Sequence, residues 1–74
     1  MYNKELMKQA IKESGMTIRA ISYKTGIKYE TLRRKLHGRN PWYLDEVGDI
    51  SKVLRLTGKE RNEIFFGPEI PEQQ

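Results

Sequence analysis

The stretch from Thr17 to Gly38, TIRAISYKTGIKYETLRRKLHG, constrains this chain more than any other. Its apolar residues recur at helical spacing on both sides of a Gly-Ile pair, which predicts two short amphipathic helices around a tight turn. The second helix carries Lys28, Arg33, Arg34 and Lys35. A short cationic rod braced on a preceding helix has the dimensions and charge to lie in the major groove of a DNA duplex.

Seventy-four residues make one domain, near the lower end of what folds alone. Without cysteine and with a single histidine, His37, the chain has neither disulfides nor a zinc ligand set to support its core. Stability must therefore come from apolar packing. Apolar runs are too short for a membrane span, and Met1–Lys12 mixes charges among its apolar positions, unlike a signal peptide. The expected location is cytoplasmic. Charge is distributed unevenly: residues 1–40 hold ten Lys/Arg against three acids, a net +7, and residues 41–74 hold four against seven, a net −3. A basic half joined to an acidic half suggests one face for a polyanion and another for a different contact.

Apolar spacing is helical throughout, and no stretch alternates as a half-buried strand would. Asn3 is placed to cap a first helix carrying Leu6, Met7, Ala10 and Ile11, with Gly15 ending it; Tyr2 and Met7 are spaced as a hydrophobic staple. Helix two begins at Thr17, turns Ala20 and Ile21 inward and stops at Gly26. Helix three spans about Tyr29 to His37, with Leu32 and Leu36 on its buried side and Gly38 closing it. Pro41 disfavours helix at Asn40, so Arg39-Asn40-Pro41 reads as a turn. Helix four runs from about Leu44 to Leu54 and buries Val47, Ile50 and Val53 or Leu54. Helix five opens on the capping box Thr57-Gly-Lys-Glu60 and ends near Phe66. Residues 67–74 read as a flexible tail after a folded domain of residues 1–66. The expected architecture is all-α, a compact bundle of five short helices.

A helix-turn-helix needs a small residue where the helices cross, a turn glycine, and apolar anchors at fixed points. Ser22, Gly26, Ile21, Ile27 and Leu32 occupy these positions in register, followed by Gly38. On these residues the chain resembles the lambda-repressor-like (Cro/C1-type) family of helix-turn-helix DNA-binding domains over about residues 4–66. Its ending from Leu54 to Phe66, LRLTGKERNEIFF, is similar to a pattern common in small phage repressors. The resemblance implies a five-helix domain that binds operator DNA as a homodimer and acts as a transcriptional regulator, nucleoid-associated when bound. By position it implies base-reading roles for Lys28, Tyr29, Glu30, Arg33 and Arg34, and phosphate contacts for Thr17, Ile18, His37, Arg39 and Asn40. Two residues depart from that pattern. Ile18 stands where a polar side chain is expected. Lys28 stands at the cap of helix three, where its charge faces the positive end of the helix dipole.

Each assignment has a plainer counterpart. Glu30 and Arg34, four apart, can pair on the helix surface, or Arg34 can hold guanine and Glu30 cytosine. Tyr29 can join the core or contact a thymine methyl, and Arg33 can meet a base edge or the backbone. Lys35 lies toward the packing side, with its stem expected over Trp42 and its ammonium in water. His37 reads as a surface residue at a helix end or as a phosphate contact. Lys4, Lys8 and Lys12 read as a solvated face, and Trp42 as core. A helix cannot point Ile64, Phe65 and Phe66 the same way; this trio is the candidate dimer or partner contact. No nucleophile–base pair, metal set or phosphate-binding glycine loop is recognisable, so neither an enzyme nor a cofactor is expected. Asp45, Glu46 and Asp49 read as the acidic bias of a helix N-terminus. The alternative function is an antirepressor or modulator that uses the same scaffold to dock on a partner repressor protein.

Overall fold

The computed structural model describes residues 1–67, which form five α-helices and no strand. Local rules set most of their ends. Helix α1 (Lys4–Ser14) starts where Asn3 Oδ1 accepts from the Leu6 N–H at 3.0 Å. Helix α2 (Ile18–Thr25) starts where Thr17 Oγ1 accepts from the Ala20 N–H at 3.0 Å. Each cap satisfies one of the amide donors that a helix start leaves without a partner. Helix α3 (Tyr29–Leu36) has no such side-chain cap, as the lysine at position 28 requires. Helix α4 (Leu44–Leu54) begins with the Glu46 carboxylate accepting from the Tyr43 N–H at 3.0 Å. Helix α5 (Gly58–Phe65) carries the reciprocal box: Glu60 N–H donates to Thr57 Oγ1 at 3.1 Å, and Thr57 N–H to Glu60 Oε1 at 2.8 Å.

One core joins all five helices: Met7, Ile21, Ile27, Leu32, Val47, Ile50, Leu54, Ile64 and Phe65. Met7, Ile21, Leu32 and Ile50 are essentially sealed from solvent. Leu54 is buried and Val53 only borders the cluster, which resolves the choice between them at the end of α4. Helix α2 packs most extensively on α3 and α4, so the helix pair around Gly26 is supported from behind by α4.

An aromatic cluster closes the other end of the core. Tyr2, Trp42 and Phe65 stand with ring centroids 5.2–5.9 Å apart, in tilted and edge-on arrangements. Tyr2 thus packs on these rings from its place just before α1. Its Oη donates to the Leu36 carbonyl at 2.8 Å, and Trp42 Nε1 donates to the Lys35 carbonyl at 3.0 Å. Both carbonyls belong to the last turn of α3, where a helix leaves its acceptors unfilled, and the Lys35 carbonyl also accepts from the Gly38 N–H at 3.0 Å. The C-terminal end of α3 is therefore held by two aromatic side chains from separate parts of the chain. Gly67 is buried and its N–H reaches the Asn62 carbonyl at 3.0 Å, so it closes α5 and does not belong to a tail. The rest of the expected tail, residues 68–74, lies outside the described residues.

Candidate nucleic-acid interface

The turn between α2 and α3 is built from Gly26, whose φ of +81° is the left-handed conformation that glycine adopts without steric cost. Side chains lock it from both sides. Ser22 Oγ donates to the Ile27 carbonyl at 2.5 Å; Thr25 Oγ1 donates to the Ile21 carbonyl at 2.8 Å and accepts from the Ile27 N–H at 3.3 Å. Ser22 therefore contributes a hydrogen bond as well as small size. Ile21, Ile27 and Leu32 are buried as their register predicts. Thr25 has no place among the sequence-derived site residues, although a threonine just before a turn glycine commonly bonds back to the helix backbone.

The outward side of α3 presents Lys28, Glu30, Arg33 and Arg34, all exposed. Among the described residues, Glu30 and Arg34 form no ion pair, despite their four-residue spacing. Tyr29 is half-buried. The Arg19 guanidinium, from α2, lies 4.2 Å from the centre of its ring, and Arg33 lies at 5.9 Å. Arg19 has no place among the sequence-derived site residues, because its partner is on the other helix and no spacing rule links the two.

Lys35 departs from expectation. Its ammonium does not reach water: the residue is 3% exposed. Nζ lies 2.9 Å from Glu46 Oε1 and donates to the Pro41 carbonyl at 2.7 Å, with the Tyr43 ring centre at 4.7 Å. Three residues beyond Leu32, Lys35 projects from the same packed face. Its long stem then delivers the charge to a carboxylate and a carbonyl at the start of α4. Burial is tolerated because the charge is both paired and hydrogen-bonded. Glu46, read from sequence as part of the acidic bias of α4, is also the counter-ion that ties α4 to the back of α3.

The phosphate candidates divide between two depressions. Ile18 and His37 line a cleft of about 340 Å³ together with Lys4 and Lys8 of α1. Ile18 is half-buried against the core, so its side chain cannot serve as a phosphate contact; only its backbone N–H, in the first turn of α2, is of use there. Thr17, at the same helix start, and His37, just after α3, are exposed. Lys4 and Lys8, read as a solvated face, border this cleft and add positive charge beside them. Arg39 and Asn40 line a second depression with Met1, Pro41, Leu44 and Phe66. Arg39 is exposed and Asn40 half-buried.

The candidate partner contact also narrows. Ile64 and Phe65 are buried within the monomer, at 3% and 7% exposure, and are not available to a partner. Phe66, at 38%, remains outside, because the last turn of α5 rotates it away from its two neighbours. Met1 and Leu44, at 83% and 78%, share its depression and extend it as an apolar patch. Among the described residues no group of three or more His, Cys, Asp or Glu side chains is arranged to hold a metal ion. None of their helices is long and apolar enough to cross a membrane. Comparison of the chain with protein-family models, curated proteins and solved structures finds no match.

Proposed function

We propose that this protein is a sequence-specific double-stranded-DNA-binding regulator of transcription that places α3 in the major groove. The observation carrying this reading is the division of α3 into two sides. Its back is occupied by sealed Leu32 and by Lys35 in its ion pair, while Lys28, Arg33 and Arg34 project outward without ion-pair partners among the described residues. Lysines and arginines held outward in this way release condensed counterions on meeting phosphate, and base edges supply the specificity. Thr17, His37, Arg39 and Asn40, with Lys4 and Lys8, are the backbone contacts in this reading. It implies a cytoplasmic protein, nucleoid-associated when bound.

One copy of an eight-residue helix reads few base pairs, so a homodimer on a near-palindromic site follows, with half-site centres about one helical turn apart. The apolar patch of Met1, Leu44 and Phe66 is the surface that favours a protein contact. It fits a second copy, and equally the second reading, an antirepressor or modulator docked on a partner repressor. Selection of duplexes from a random library tests the main reading. Enriched sites should share a near-palindrome, and Arg34→Ala should relax preference at one position per half-site, at a cost of about 1–3 kcal/mol. A pool that stays random, with a co-purified repressor bound to the protein, favours the second. Replacing Leu44 by Ser separates this patch from the reading helix: it should weaken assembly while leaving half-site preference unchanged.

A further inference from the structure

We propose that Arg19 is a positioning residue for Tyr29, and that the pair reads the C5-methyl group of a thymine at the start of α3; this rests on the DNA-binding reading above. Arg19 belongs to α2 and Tyr29 to α3, and the guanidinium lies 4.2 Å from the ring centre, across the groove between the two helices. A guanidinium over an aromatic face is held by the ring's quadrupole and by planar stacking. Both side chains are otherwise uncommitted: neither has a hydrogen bond or ion pair among the described residues, and Arg19 is exposed while Tyr29 is half-buried.

The consequence is a fixed ring. A tyrosine at the first position of a helix has several open rotamers, and ordering it on binding costs conformational entropy. The cation from α2, with Arg33 at 5.9 Å, restricts that freedom before DNA arrives. Half-buried Tyr29 keeps part of its ring accessible, and the ring carbons beside its hydroxyl are apolar. The thymine methyl is the apolar group that base pairs display in the major groove, and contact with it is what an apolar side chain there can read. The Arg19 guanidinium, over a ring face and with no other bond among the described residues, keeps its N–H groups available to a neighbouring phosphate. Its charge and its planarity therefore have separable effects.

Replacing each thymine of a bound duplex in turn by uracil deletes only the methyl group. For the unaltered protein, one position per half-site should lose affinity by about two- to five-fold, on the scale of a single exposed contact. Tyr29→Ala should abolish that thymine-over-uracil discrimination, and so should Arg19→Ala, with no further loss in the double variant. Arg19→Lys keeps the charge and lacks the plane: overall affinity and salt dependence should persist while the discrimination falls. Since Arg19 is exposed, thermal unfolding of its variants should stay within a few degrees of the parent's. In the free protein, ring-current shifts of the Arg19 side-chain protons should disappear in Tyr29→Ala. Discrimination that survives Arg19→Ala, or losses that are uniform over all positions and additive with Tyr29→Ala, would overturn the proposal and leave Arg19 a phosphate contact. A protein that shows the ring-current shifts but binds no duplex would overturn the DNA-binding reading itself, with the stack intact.

Discussion

Replacing Glu46 by Gln should destabilise this domain more than replacing Lys35 by Met, although both remove the same ion pair. Lys35 Nζ and Glu46 Oε1 are 2.9 Å apart, with side-chain exposures of 4% and 19%. At an effective dielectric of about 20, charges at that separation attract by roughly 6 kcal/mol, most of which offsets the cost of removing them from water. The two variants strand different charges. Glu46→Gln leaves a sealed ammonium with no counter-charge and only neutral partners: the Pro41 carbonyl, the Tyr43 ring and the new amide oxygen. Removing one member of a buried pair costs about 3–5 kcal/mol, and the partial solvation of Glu46 argues for the lower end. Lys35→Met leaves a carboxylate that can rehydrate and still accept from the Tyr43 N–H, while the methionine fills the vacated stem. About 1–2 kcal/mol is expected there. For a domain of this size about 1 kcal/mol shifts Tm by roughly 4–8 °C. Glu46→Gln should therefore melt more than about 10 °C below the parent, and Lys35→Met roughly half as far below it. The double variant should lie close to Lys35→Met, because no buried charge is left. Circular dichroism during thermal and urea unfolding measures all four proteins. Equal costs for the single variants, or a cost below about 0.5 kcal/mol for Glu46→Gln, would refute the asymmetry and make the pair an ordinary surface contact.

Two further predictions concern the ends of helices. Burial pushes the Tyr2 phenol well above its ordinary value of 10.0, so the folded protein keeps a proton that the unfolded chain releases near that pH. Stability from this group is complete below about pH 10 and falls above it, by about 1.4 kcal/mol per pH unit. Tyr2→Phe should remove that slope in pH-dependent urea unfolding, and should cost about 1 kcal/mol at neutral pH by depriving the Leu36 carbonyl of its donor; an unaltered slope would place the alkaline sensitivity elsewhere. Arg55 ends α4 with φ +58°, the left-handed region, where a side chain is strained by roughly 1–2 kcal/mol. Arg55→Gly should raise stability by about 0.5–1 kcal/mol after the glycine's greater unfolded-state entropy is counted, and a loss in thermal unfolding would contradict the strain.

The helix ends were legible because capping is decided within four residues. Asn3, Thr17 and the Thr57–Glu60 box act on amides in their own first turn, and Gly15, Gly26 and Gly38 all take positive φ at helix ends. The five-position register around Gly26 was legible for the same reason, being a local pattern with one packed face. What escaped is what crosses between elements. Glu46 lies eleven residues beyond Lys35 on another helix, and Arg19 meets Tyr29 across a turn, so neither pairing has a periodic signature. The phase of α5 shows the same limit. Three consecutive apolar residues require that at least one face outward, and only packing against Tyr2 and Trp42 decides that Phe65 is inside and Phe66 outside. Arg55 is the converse case, a left-handed end for α4 at a residue whose type gives no warning of it.

The most direct test of the central claim is amide chemical-shift mapping during titration with a selected duplex at low salt. Perturbations should concentrate on residues 17–19, 28–34 and 37–40, and should fade as salt rises with a log–log slope of about −0.9 per neutralised phosphate. Perturbations confined to the Met1, Leu44 and Phe66 patch, or none in dilute buffer, would show that the outward face of α3 does not meet DNA.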